Sequence, residues 1–253
     1  MQTSPHVPSP RPRVSCLMVT RGQMEVLSFA LACYVAQDYP NRELLIVTDA
    51  LTAELESVVA RHAEHKVRLV EAPQGLTLGD LRNFAAARAS GDILCQWDDD
   101  DLYDPARLSA SVHVLLQSKF AAVFLDQWIM WWPARRRFAL SRTRLWEGTM
   151  CIWRQHHGLY PALRRGEDSV FVRQLTQRTQ VAQMKAPHLY CYVITGRNSW
   201  DIEHFDQLFG EAEQSFEGAA YDAMMQRLSA RLPIREYDGV LQRLSAAVTR
   251  PRG

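Results

Sequence analysis

An alternation of apolar runs with helical stretches through the first half of this 253-residue chain limits its folds more than any other feature. VSCLMV (14–19), ELLIVTD (43–49), KVRLVEA (66–72) and DILCQW (92–97) read as buried strands, each ending in polar or turn residues. Between them, Met24 to Gln37, the segment after Thr52, residues 79–90 and Pro105 to about Ser118 carry helical spacing or strong helix formers. Thr52 suits a cap, Gly91 a stop and Pro105 a first turn. Strands that alternate with helices in this way predict an α/β fold: a mixed, mostly parallel sheet covered by helices and built from right-handed crossovers. Ligands bind such sheets beyond the carboxyl ends of the strands, which is where Thr20, Asp49 and Asp98 to Asp101 fall.

After about residue 120 the pattern changes. AAVFLDQWIMWWP, RRRFALSRTRLW and TMCIWR read as antiparallel or mixed strands. They are followed by a helix from Gly166 to about Arg178, two short strands near 180–195 and a helical tail from about 201. The expected organisation is a flexible Pro-rich leader (1–12), a main domain (13–210) and a helical C-terminal extension (211–253). The extension either packs on the core or builds a homodimer. The leader lacks a signal-peptide core and no segment approaches a membrane span.

A hydrophobic fraction of 47%, with 23% charged residues and a net charge of +1, excludes a nucleic-acid-coating protein. Five cysteines (16, 33, 95, 151 and 191) with no CxxC pair point to reduced thiols and a cytoplasmic location.

The stretch ILCQWDDDDLYDP (93–105) puts four carboxylates in succession. Two of them about 4 Å apart at an effective dielectric of 20 repel by roughly 4 kcal/mol, so a cation, arginines or solvation must offset the charge. A calcium loop is excluded: counting from Asp98, the sixth residue is Tyr103, not Gly, and the twelfth is Ser109, not Glu. An aspartyl-phosphate phosphatase would place its nucleophile after the first strand, not the fourth. Magnesium or manganese held by one or two carboxylates and completed by phosphate oxygens remains, against the plain alternative of a solvated acidic turn.

In order, VSCLMVTRGQ, QDYPNRELLIVTD, GLTLGDLRNFAAARASGDILCQWDDDDLYDPARL and GEDSVFVRQL resemble the successive blocks of family 2 glycosyltransferases, which have the GT-A nucleotide-sugar fold. The resemblance covers about residues 13–200 and implies roles by position. Thr20, Arg21 and Asp49 would contact the nucleoside, although Thr48 stands where the family often has a second acid; Asp49 could equally be a plain turn residue. Arg82 of the LRN block would lie near the nucleotide, the alternative being a solvent-facing helix residue. Asp98 and Asp100 match the Asp-X-Asp positions, with Asp100 a metal ligand and Asp98 on metal or ribose; Asp99 and Asp101 would add field or hydrogen bonds on the nucleotide side.

By the same resemblance Asp168 is the catalytic base and Glu167 a supporting or acceptor-binding group, where otherwise both acids would only complement a helix dipole. Trp146, Glu147 and Gly148 would shape the acceptor or sugar pocket, with Trp146 as ordinary core the alternative. The histidine often found near Ile194 or Thr195 is missing; His204 either substitutes for it or, as the default reading, is a surface residue like His156 and His157.

The implied activity is inverting transfer from a nucleoside-diphosphate-sugar, a UDP-sugar favoured, to a hydroxyl on a glycan or lipid-linked acceptor in polysaccharide synthesis, with Mn2+ or Mg2+ as cofactor and no nucleic-acid partner. One rival is a nucleotidyltransferase, whose Gly-rich, Arg and Lys containing loop is absent from VTRGQMEV; another is a glycosyltransferase-like module without turnover. Trp128 to Pro133 with Arg135 to Arg137 would serve peripheral docking at the inner face of a membrane, or simply form a hairpin with a basic turn.

Overall fold

Each apolar run of the first half forms a strand: β1 (Val14–Val19), β2 (Arg42–Thr48), β3 (Val67–Glu71) and β4 (Ile93–Gln96). They are parallel in the spatial order β3-β2-β1-β4. The computed structural model describes residues 11–248, so residues 1–10 of the expected leader lie outside the described part. Helices α1 (Met24–Val35), α2 (Ala53–Ala60), α3 (Leu78–Arg88) and α4 (Arg107–Gln117) connect and cover the strands. Because side chains alternate along a strand, β1 sends Cys16 and Met18 to the face packed by Leu27 and Leu31 of α1. Leu17 goes to the opposite face, against Leu81 and Ala85 of α3. Each such leucine stabilises the fold by about 1.5–3 kcal/mol through burial.

Glu43 of β2 is a charged exception, 0% exposed. Its carboxylate accepts from Ser15 Oγ at 2.6 Å and from Ser90 N and Oγ at 2.7 Å each, and pairs with Arg13 at 3.1 Å. Burial opposes ionisation, but these bonds and the Arg13 charge prevail and hold the carboxyl down at about 2.

The second half adds β5 (Leu102–Tyr103), β6 (Ala122–Leu125), β7 (Ile129–Trp132), β8 (Arg137–Leu140), β9 (Cys151–Trp153), β10 (Val181–Met184), β11 (Tyr190–Val193) and β12 (Gln214–Phe216). In the main sheet β9 runs antiparallel between β4 and β6, and β10 lies parallel to β6. The remaining strands form a second sheet, β12-β8-β7-β11-β5, where the sequence suggested one. Its strands come from residues 102–216, and pairings over such separations leave no local period.

The chain continues through α5 (Glu167–Arg178), α6 (Ile202–Gly210), α7 (Ala219–Ser229) and α8 (Ile234–Val248). The segment after 210 packs on the core: β12 pairs with β8, Arg231 forms a two-pronged pair with Asp104, and Tyr237 stacks on Phe29 with ring centroids 4.6 Å apart.

Trp128 to Pro133 and Arg135 to Arg137 belong to an antiparallel hairpin of β7 and β8 with a basic turn. Trp128, Trp131 and Trp132 are buried, and Arg135, Arg136 and Arg137 pair with Asp206, Asp222 and Glu217, so the hairpin is spent on internal contacts. Among the described residues no helix is long and apolar enough to cross a membrane. All five cysteines are free and buried.

Candidate active site

The order β2-β1-β4 makes a switch point, because the chain leaves β1 for β2 on one side while β4 flanks β1 on the other. Such a crevice opens at the carboxyl ends of the strands, here Thr20 after β1 and the aspartates after β4. Buried Trp97 anchors the acidic loop by donating Nε1–H to Ala30 O at 3.1 Å.

Each aspartate has a different environment. Asp98 accepts from Arg82 Nη2 at 3.2 Å and Gln96 Nε2 at 3.1 Å. Asp99 accepts from Thr20 Oγ1. Asp100 accepts from Asn198 Nδ2 at 3.0 Å, and its carbonyl from the Tyr237 hydroxyl at 2.7 Å. Asp101 is buried and accepts from the Tyr190 hydroxyl at 2.5 Å and Val193 N at 2.8 Å, which ties the loop to β11.

Beneath the loop lies buried Arg107, a residue the sequence did not single out. It donates to Gln96 O at 2.9 Å and Gly148 O at 3.2 Å, and its guanidinium lies 5.1, 4.6 and 5.0 Å from the ring centroids of Trp97, Tyr103 and Tyr190. Even so, negative charge remains in excess. Burial, joined by the Asp98 charge, pushes Asp99 up to about 6 despite the Thr20 hydrogen bond. Burial and the neighbouring aspartates raise Asp100 well above the carboxylate range.

Opposite, α5 begins at Gly166, whose φ of 74° turns the chain inward and favours glycine. Glu167 is 1% exposed and accepts from Arg82 Nε at 2.8 Å. Arg82 thereby joins the two acidic blocks, with two of its nitrogens donating to carboxylates rather than standing open toward a phosphate. Asp168 is partly exposed and accepts from Ser169 N at 2.7 Å. Burial raises its pKa to about 6, with Glu167 and Glu147 adding to the rise and Arg82 opposing it.

Helix α3 fixes Arg82 in place. Its start is a reciprocal cap in which Thr77 Oγ1 accepts from Asp80 N and the Asp80 carboxylate accepts from Thr77 N, each at 3.2 Å. Gly79 lies so close to the segment before α5 that an added Cβ would sit 1.9 Å from Pro161 O.

Thr20, Arg21, Arg82, Asp98, Asp99, Asp100, Trp146, Glu147, Gly148, Glu167 and Asp168 all line one cavity of about 370 Å³. Asp49 does not: it is held beside the cavity by Arg21, with two nitrogen–oxygen distances of 3.3 Å. Trp146 is 1% exposed and stacks on Trp128 at 4.3 Å, so most of it is core. Glu147 is held by Arg144 and the Ser169 hydroxyl, each at 3.0 Å. A Cβ on Gly148 would sit 3.1 Å from the Tyr190 hydroxyl and 3.3 Å from Asp98 Oδ2.

His204, read from the sequence as a surface residue, instead lines the cavity, stacked on Trp200 at 4.3 Å; His156 and His157 lie outside its wall. Asn198, Tyr190 and the arginines at 144, 164, 165 and 197 also line it without having been anticipated. Of these, Arg164 and Arg165 adjoin the Glu-Asp block, Arg144 stands two residues before Trp146, and Arg197 and Asn198 lie in the stretch YVITGRNSWDIEHF that leads to His204, so adjacency was the available signal.

The profile of glycosyl transferase family 2 matches residues 15–153, more than half of the chain. The chain belongs to glycosyl transferase family 2. The match takes in the cavity residues from Thr20 to Gly148 and ends before Glu167 and Asp168. Curated relatives include the putative glycosyltransferase EpsE of Bacillus subtilis, 28% identical over 107 residues, 41% of this chain and 38% of EpsE. The putative colanic acid biosynthesis glycosyl transferase WcaA of Escherichia coli is 29% identical over 100 residues, 39% of this chain and 36% of WcaA. The aligned region thus spans less than two fifths of either relative's length.

Solved structures extend the likeness as fold. TarS from S. aureus in complex with UDP superposes with a TM-score of 0.61 at 15% identity, covering 79% of this chain and 70% of that one. The mannosyltransferase PcManGT from Pyrobaculum calidifontis in complex with GDP-Man and Mn2+ gives 0.60 at 17% identity, covering 99% of this chain and 80% of that one. The architecture of this family 2 chain is therefore the GT-A fold.

Among the described residues no three His, Cys, Asp or Glu side chains are grouped to hold a metal by themselves. A magnesium or manganese site completed by phosphate oxygens needs no such cage. Asp98 to Asp101 put four carboxylates in the wall of one cavity, with Arg82 paired to Asp98, and a divalent cation fits because it would offset that crowded negative charge. Asp98 and Asp100 are the carboxylates that would hold it.

Proposed function

We propose that this chain is an inverting, metal-dependent glycosyltransferase that moves a sugar from a nucleoside-diphosphate-sugar to an acceptor hydroxyl in polysaccharide synthesis. The observation that carries the reading is the convergence of Asp98, Asp100 and Asp168 on one cavity, in whose wall Arg82 bonds both Asp98 and Glu167. Thr20, Arg21 and the adjacent Asp49 take the nucleoside. A divalent ion, when bound, would offset the charge developing on the departing diphosphate.

Asp168 accepts the proton of the acceptor hydroxyl as that oxygen bonds to the anomeric carbon and the bond from this carbon to the diphosphate breaks. Displacement from the face opposite the leaving group inverts the configuration. Glu167, closed off by Arg82, orients the first turn of α5, while Trp146, Glu147 and Gly148 shape the sugar end of the pocket. A UDP-sugar is favoured because TarS is recorded with UDP and UDP-GlcNAc; GDP-Man in PcManGT makes a guanosine donor the natural competitor.

A panel of UDP- and GDP-sugars assayed for Mn2+-stimulated hydrolysis and transfer tests the proposal. One donor should support turnover that Asp100→Asn and Asp168→Asn each reduce at least 100-fold. Nucleotide binding without turnover across the panel would reject it in favour of a binding module.

A further inference from the structure

We infer that the acceptor carries an anionic group, a phosphate or a carboxylate, read by Arg164 and Arg165 beside the base. The inference deepens the proposed function and rests on Asp168 marking the acceptor side.

Most arginines of the cavity wall are already neutralised. Arg82 serves Asp98 and Glu167, Arg21 holds Asp49, Arg144 lies 3.0 Å from Glu147, and Arg197 reaches Glu25 at 3.9 Å. Arg164 and Arg165 line the same cavity and, among the described residues, form no ion pair. Arg165 is nevertheless held in place: Nη1 donates to Ser199 O at 3.0 Å and the guanidinium lies 4.6 Å from the Trp200 ring centroid. Trp200 keeps 38% of its surface exposed, unusual for so large an apolar residue, and offers an aromatic wall next to those charges.

Position separates this subsite from the donor's. The donor diphosphate belongs with the acidic loop after β4, whereas Arg164 and Arg165 immediately precede the turn at Gly166 that delivers Asp168. A hydroxyl presented to Asp168 therefore brings the rest of its molecule past two unpaired guanidiniums. A neutral glycan would leave both without a counter-charge, while a phosphate or carboxylate would accept two-pronged, charge-assisted hydrogen bonds from them.

The test uses the full chain with Mn2+, UDP or GDP, and four probes: glycerol 3-phosphate, glucuronic acid, glycerol and glucose. Binding is followed by ligand-detected NMR and calorimetry. The expected result is that both acidic probes bind at least tenfold more tightly than their neutral counterparts. Arg164→Gln with Arg165→Gln should abolish this preference while nucleotide affinity stays within twofold, and Arg227→Gln, an exposed charge on α7, should leave it intact.

Equal binding of acidic and neutral probes overturns the inference, as does a loss of nucleotide affinity in the double variant, which would assign the arginines to the donor diphosphate. Acidic probes bound by a chain that binds neither nucleotide would overturn the donor reading and leave the anion subsite standing.

Discussion

Arg82 Nε donates to Glu167 Oε1 at 2.8 Å, and this bond ties α3 to the first turn of α5 in the cavity wall. Glu167 is 2% exposed at its side chain and Arg82 11%, so the pair is screened from water on both sides. Removing one partner of a buried pair is far more damaging than the pair is stabilising. Arg82→Gln is expected to lower folding stability by roughly 3–5 kcal/mol and to reduce transfer sharply. Urea denaturation provides the check; a loss under about 1 kcal/mol would show that Glu167 finds another partner.

As the proposed base, Asp168 should set the pH response of transfer. With a pKa near 6, it is ionised and able to accept a proton above that value, so transfer should fall as pH drops through about 6. The stability sign is opposite. A carboxyl whose pKa is raised by folding contributes most below the ordinary carboxylate range, and that contribution is lost as pH rises through about 6. Asp168→Asn should therefore remove the acidic limb of the rate profile and gain roughly 1 kcal/mol of stability at pH 8, the partial exposure discounting the full effect. A profile unchanged near pH 6 in an active variant would exclude Asp168 as the base.

Tyr237 reaches the site from α8, its hydroxyl donating to Asp100 O at 2.7 Å. Tyr237→Phe keeps the ring stacked on Phe29 and deletes only the hydroxyl. The expected result is a loss of about 0.5–1.5 kcal/mol in stability and a weakening of Mn2+ binding by about tenfold, read by titrating the metal in the presence of nucleotide. Unchanged metal affinity would mean that the acidic loop holds its shape without α8.

Glu43 governs acid tolerance far from the chemistry. Folding lowers its pKa to about 2, so its contribution is complete above the ordinary carboxylate range and is lost as pH falls toward that value. Glu43→Gln should destabilise the protein by roughly 2–3 kcal/mol at pH 7 and flatten the dependence of melting temperature on pH below the ordinary range. Calorimetry between pH 3 and pH 7, a window of about four units, should show the two curves converging at the acidic end.

How far the sequence could be read depended on the range of each interaction. The four parallel strands and the acidic loop were legible because run length and helical spacing are local, and eleven of the twelve proposed site residues meet in one cavity. Leu102 and Tyr103 were not legible as a strand, since two residues carry no period. Arg107 looked like any arginine opening a helix; it is buried among Trp97, which follows β4 of the main sheet, and Tyr103 and Tyr190, which the second sheet supplies from β5 and β11. Asn198 reaches Asp100 across 98 positions, and His204 enters the wall together with Leu208 of the same helix, α6. Asp49 stood at the expected strand end, but its partner Arg21 holds it just outside the cavity.

Cutting the chain after α6 would do more than shorten it. Asp104, 2% exposed, would lose the guanidinium of Arg231, and Phe29 and Trp131 would lose the ring of Tyr237. The backbone at Asp100 would lose its tether in the same stroke. In this protein the last helices work as a keystone, so the smallest piece able to perform the chemistry extends well past the last residue that would touch a sugar.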